Sequence, residues 1–83
     1  MKEIGNEAYK NKEYLKAINY YSKAIQYNPQ DPNFYSNRAL CYFNMENFKE
    51  CVRDCDLAID LNPSFVKAYR KKASALAYLL KFS

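Results

Sequence analysis

"YSKAIQYNP" at residues 21–29 and "CDLAIDLNP" at residues 55–63 lie 34 positions apart, and their match decides the fold. Ala24 falls on Ala58, Ile25 on Ile59, and Asn28-Pro29 on Asn62-Pro63. Working outward, Ala17 falls on Cys51 and Ile18 on Val52, while Gly5, Ala39 and Ala73 align, as do Tyr35 and Tyr69. A period of this length marks a repeat whose units bury their apolar faces only by stacking on one another. Each unit reads as two amphipathic helices, predicted near 1–12, 14–28, 32–45, 48–62 and 65–81. Asp31-Pro32 offers an N-cap followed by proline at the first helical position. Each Asn-Pro ends a helix, because the residue before proline avoids the α region. Ser64 is expected to cap the last helix. Small residues at Gly5, Ala39 and Ala73, and at Ala17, Ala24 and Ala58, let helices approach closely, and the short turns make neighbours antiparallel. The expectation is an all-α, antiparallel helix-turn-helix solenoid in one domain, residues 1–83. Repeat one covers 1–31, repeat two 32–64, and the first helix of a third repeat 65–83.

Composition narrows the class. Hydrophobic residues make up 49% of the 83, enough for a folded chain but only a small core. One Gly and three Pro leave little room for β-turns. The net charge of +4 favours an anionic partner without naming one. The apolar runs are too short to span a membrane, and "MKEIGNEAYK" (1–10) has no signal-peptide apolar core. Met1 leads straight into helical sequence without a capping residue, so the chain reads as an excised fragment. The three cysteines are odd in number and form no C-x-x-C pair, which fits a reducing cytoplasm better than a disulfide framework. Cys51 and Cys55 share a helical face and can in principle hold a metal. With no His in the chain, the favoured reading is small core residues, with no metal and no cofactor.

In a solenoid of helix pairs, the first helix of each unit lines the concave surface. The polar residues there are Lys2 and Asn6 on the first helix, Asn37 on the third, and Lys67 and Lys71 on the fifth. In "FVKAYRKKA" (65–73), Lys67 and Lys71 stack one turn apart, and Lys72 points elsewhere. Two like charges at that spacing repel unless an anion visits. Arg38, Arg70 and Lys72 read as surface or intra-repeat residues.

The pattern of small residue, aromatic, Ala, aromatic, Ala and Pro resembles the tetratricopeptide repeat (TPR) family over the whole chain. Met1, Tyr35 and Tyr69 stand at that family's Trp position, and Ala39 and Ala73 replace its Gly. The turns inside each helix pair, "NKEY" (11–14) and "MENF" (45–48), also lack the family's common Gly. "KEIGN" (2–6), "SNRA" (36–39) and "KAYRK" (67–71) resemble the two-carboxylate clamp of co-chaperone TPR domains, most of all those of the heat-shock organising protein. The resemblance implies a non-catalytic module. It implies that Lys2, Asn6, Asn37, Lys67 and Lys71 hold the C-terminal Glu-Glu-Val-Asp of seventy- and ninety-kilodalton heat-shock chaperones. Tyr9, Leu40 and Phe43 would line the ligand's apolar side chains. Lys71 stands where the family has Arg, keeping the charge without the planar fork.

Two other classes compete. A basic helical scaffold could bind nucleic acid or another acidic partner, but nine acidic residues interleave with the basic ones and no Arg-rich stripe forms. An enzyme would need a constellation that is not visible here, with no His and no nucleophile set beside a base. Finally, Tyr69, Ala73, Leu76, Ala77 and Leu80 form one stripe expected to pack back on the second repeat. Phe65, Leu79 and Phe82 would then stay uncovered, and self-association through the last helix, by exchange between chains, is expected.

Overall fold

The computed structural model describes residues 2–82, with side chains described for 5–81. Five helices follow in order: α1 (Lys2–Lys10), α2 (Tyr14–Tyr27), α3 (Pro32–Asn44), α4 (Phe48–Leu61) and α5 (Val66–Phe82). Each packs antiparallel on the next, and α3 also meets α1 and α5, giving a slab of 35 × 28 × 17 Å. Among the described residues no helix is long and apolar enough to cross a membrane.

The local chemistry explains the helix ends. Asp31 accepts the Asn33 N–H at 2.9 Å with Pro32 at the first position of α3, as expected of a cap. Asn28 and Asn62 end α2 and α4 in nearly the same conformation, φ −142° and −143°, each donating its N–H back to an alanine carbonyl. Ser64 does not cap α5. The helix begins at Val66, so Ser64 lies one residue too early, and its N–H goes instead to Asn62 Oδ1 at 3.1 Å.

The turns that lack glycine carry the backbone strain. Lys12 and Glu46 sit at φ 62° and 61°, 34 residues apart, in the left-handed region that L side chains resist. The Glu13 N–H reaches Ala8 O and the Lys12 N–H reaches Tyr9 O; Asn47 and Glu46 repeat both bonds on Tyr42 and Phe43. That is the 6→1 and 5→2 pairing of a Schellman end, with Lys and Glu where glycine fits best.

Two cores alternate along the slab. The first gathers Ala8, Ala17, Ile18, Tyr21, Ala24, Phe34 and Cys41; the second gathers Ala39, Cys51, Cys55, Ala58, Ala68 and Ala75. These small side chains let the helix axes come close, and aromatic rings close the edges. Burial pushes the Cys41 thiol up to about 12. Cys51 and Cys55 are likewise buried as free thiols, one turn apart on α4. Between the cores, Arg38 donates through Nε and Nη2 to both Asp54 carboxylate oxygens at 2.8 and 2.7 Å, and through Nη1 to Ser22 Oγ at 3.0 Å.

The last helix docks on a different face from the one expected. Ala68 and Ala75 are fully buried, Lys71, Lys72 and Leu79 are half-buried, and Phe65 packs on the second core. Tyr69, Leu76 and Leu80 are 46%, 40% and 83% exposed, and Ala73 and Ala77 are exposed too. The expected stripe lies roughly 120° round the helix from the true contact, at about 100° per residue. Close approach to Cys51, Cys55 and Ala58 selects the smallest residues of α5, while lysine stems cover the rim. The outward apolar face is therefore Val66, Tyr69, Leu76 and Leu80, not Phe65 and Leu79; the Phe82 side chain lies outside the described residues.

Gly5 shows how tight the first pair is. A Cβ there would stand 2.7 Å from Tyr21 Cε1 and 3.0 Å from Cζ, on a ring that is itself buried. Gly5→Ala should cost about 1–3 kcal/mol by overpacking, more than the roughly 0.5–1 kcal/mol that alanine gains in a helix. Denaturant midpoints check this, and an unchanged midpoint would mean the ring swings aside. Conversely, Lys12→Gly or Glu46→Gly should raise stability by about 0.5–1 kcal/mol by relieving the left-handed turn, read from the same unfolding curves.

Candidate groove and its cations

The site is built from three parallel helices, α1, α3 and α5, whose side chains line two adjoining hollows. The first, about 310 Å³, is lined by Asn6, Tyr9, Lys10, Tyr21, Asn37 and Leu40. The second, about 300 Å³, is lined by Ser36, Leu40, Lys67, Arg70, Lys71 and Ser74. Leu40 is the wall they share. The structure thus gathers Asn6, Asn37, Tyr9 and Leu40 on one side and Lys67 and Lys71 on the other. The side chain of Lys2 lies outside the described residues. Phe43 lines neither hollow.

Each polar group is held differently. Tyr21 Oη donates to Asn6 Oδ1 at 2.5 Å, so the Asn6 amide has its carbonyl edge occupied. Burial pushes the Tyr21 phenol up to about 12, which keeps it a donor. Among the described residues Asn37 has no side-chain hydrogen bond, and it directly precedes the pinned Arg38 in sequence. Asn44 Nδ2 donates to Tyr9 Oη at 3.1 Å and to Leu40 O at 2.8 Å, fixing the apolar wall. Tyr9 also meets Tyr14 edge-on, with ring centres 5.7 Å apart.

Lys71 lies with its ammonium 4.0 Å from the centre of the Phe43 ring. Phe43 in turn meets Phe48 and Tyr78 edge-on at 5.4 and 5.7 Å, and Phe48 stacks on Tyr78 at 4.8 Å. The ring expected to line the ligand's path therefore supports a cation instead, a cation–π contact of roughly 0.5–2 kcal/mol. Lys72 turns to α4 and pairs with Asp56 at 2.6 Å.

Among the described residues, Lys10, Lys12, Lys23 and Lys49 have no carboxylate within ion-pair distance. Arg38, Arg53, Lys16 and Lys72 each have a carboxylate within ion-pair distance. Among the described residues Lys67, Arg70 and Lys71, which face the second hollow, have none. Sequence reasoning missed Lys10, Tyr21 and Arg70. Lys10 is one turn beyond Asn6 and Arg70 three residues beyond Lys67, so helical spacing alone could have found those two. Tyr21 belongs to the core by periodicity, and nothing in the sequence shows its hydroxyl emerging into the groove.

Family models described as "TPR repeat" and "Tetratricopeptide repeat" match residues 5–46 and 32–65. The heat shock protein sti1 homolog of Schizosaccharomyces pombe is 43% identical over 75 residues, covering 90% of this chain and 13% of that protein. The chain spans 13–14% of the length of such curated relatives. The first TPR of Spaghetti (RPAP3), solved bound to the HSP90 peptide SRMEEVD, superposes with a TM-score of 0.94 at 39% identity, covering 96% of this chain and 64% of that one. The second TPR domain of human RPAP3, in complex with the HSP70 peptide SGPTIEEVD, gives 0.92 at 31%, covering 96% and 67%. With the repeat period, the helix pairs and the family models in agreement, this chain belongs to the tetratricopeptide repeat family.

Proposed function

We propose that this chain is a non-catalytic binding module that grips the C-terminal Glu-Glu-Val-Asp tail of seventy- and ninety-kilodalton heat-shock chaperones, as a co-chaperone adaptor. The observation that carries the reading is a groove that gathers Lys67, Arg70 and Lys71, none with a carboxylate in ion-pair distance among the described residues, across Leu40 from the Asn6 and Asn37 amides. Asn6 and Asn37 would supply neutral, directed donors, and Lys2, Lys67 and Lys71 would supply charge to the α-carboxylate and the Asp side chain. Tyr9 and Leu40 would line the apolar side of the path, with Phe43 acting beneath Lys71. Relatives solved with SRMEEVD and SGPTIEEVD support the ligand class. Three buried free thiols fit a reducing compartment, and the cytoplasm is the setting we propose.

Calorimetry with synthetic SRMEEVD tests this. Binding should need the free C-terminal carboxylate, weaken with salt as charges are screened over about 8 Å, and survive a competing oligonucleotide. Lys67→Ala should lower affinity about tenfold without unfolding the domain, the lower end of a charge-assisted hydrogen bond's worth. Equal affinity for the C-terminally amidated peptide would sink the reading.

The Lys71 position gives a second measurement. Lys71→Arg keeps a cation that stacks on Phe43 and adds a planar fork for a carboxylate. Affinity for SRMEEVD should rise a few-fold; an unchanged value would place the ammonium out of contact with the peptide.

A further inference from the structure

The Asn6 amide has two edges, and only one suits an anion. Its N–H2 edge donates to a carboxylate, whereas its carbonyl edge would repel one. A rotation of about 180° exchanges them at little cost unless something holds the group. Here something does. The Tyr21 ring is buried to 1% exposure and seated against Gly5, where there is no room for a Cβ. Its hydroxyl reaches the lip of the first hollow and donates to Asn6 Oδ1.

We propose that Tyr21 is a positioning residue for anion recognition: its hydroxyl engages the Asn6 carbonyl edge and so turns the N–H2 edge into the groove. The pair is not a by-product of repeat packing. At the equivalent places 34 residues on, Tyr21 is replaced by Cys55 and Asn6 by Leu40, so the second repeat keeps the helix contact and has no such bond. The buried phenol titrates far above neutral pH, so the donor persists through the physiological range. Gly5 belongs to the same device, since the ring reaches Asn6 only by crossing α1 where a side chain is missing. This assignment rests on the carboxylate-binding reading above.

The test is Tyr21→Phe, which keeps the ring and removes only the hydroxyl. In nitrogen-15 relaxation of the free domain, the Asn6 side-chain NH2 should become more mobile in Tyr21→Phe. By calorimetry, affinity for SRMEEVD should fall about three- to tenfold. In an Asn6→Ala background Tyr21→Phe should cause no further loss, because its effect passes through that amide. An equal loss in both backgrounds, or no loss in either, overturns the positioning role, since a merely structural hydroxyl would not couple to Asn6. An Asn6 amide equally ordered with and without the hydroxyl overturns it whatever the peptide does. Should the wild-type chain ignore SRMEEVD while the amide still loosens in Tyr21→Phe, the ligand reading fails and the orientation of Asn6 stands.

Discussion

The Arg38 guanidinium joins three helices through one planar group. It sits on α3, clasps Asp54 of α4 with two bonds, and reaches Ser22 of α2 with a third. Asp54 is nearly fully buried, and burial pushes its carboxyl up against the opposing pull of Arg38. A charge so placed is tolerable only while its partner stays; removing one side of a buried pair typically costs roughly 3–5 kcal/mol. The consequence is geometric as much as energetic. With Arg38 fixed between the cores, the rotation of α3 about its own axis is fixed. Asn37, one residue earlier, and Leu40, two residues later, are thereby presented to the groove. The site's central helix is aimed by an interaction on its far side.

The repeat was legible because the contacts between helix pairs are made by a few residues at invariant offsets. Ala17 and Cys51, Ala24 and Ala58, and the Asn-Pro ends recur since each repeat must meet its neighbour in the same way. The same reasoning fails at α5, where the expected stripe of Tyr69, Ala73, Leu76, Ala77 and Leu80 is the exposed one. Tyr69, Leu76 and Leu80 form the larger stripe, yet Ala68 and Ala75 touch α4, whose own contact residues are small. Tight helix packing selects for the absence of side chain, and a pattern search that weighs hydrophobicity passes over alanine. The missing turn glycines were visible too, but that Lys12 and Glu46 themselves would carry the left-handed backbone follows only from the two Schellman bonds at each end.

For the groove, spacing found the polar residues of the inner helices, and the structure brings Asn6, Asn37, Lys67 and Lys71 to two hollows divided by one leucine. What spacing cannot show is which side chains hold others in place. Phe43 was expected to face a ligand and lies under Lys71; Tyr21 fills the first core and also reaches Asn6. Both are aromatic residues on which periodicity reads only the apolar part. Their second role depends on where a ring face or a hydroxyl points, which is set by helix crossing and not by chain order.

The charge arrangement completes the argument. Lys67 and Lys71 are like charges one turn apart, and in a free helix that spacing is mildly destabilising. Arg38 and Lys72 sit against carboxylates of a neighbouring helix, and the groove-facing Lys67, Arg70 and Lys71 have no such partner among the described residues. The Phe43 ring offsets part of the repulsion by offering its negative face to Lys71, but it neutralises nothing. A net positive charge is thus kept facing a partly apolar hollow, where a carboxylate would be attracted more strongly than at an open surface. Neutral amides on the opposite wall add direction without adding repulsion. A groove built of lysines alone would attract any anion. Pairing two lysines and an arginine with two amides, of which Asn6 is held by its carbonyl edge, narrows the choice to a group that fits donors from two walls at once.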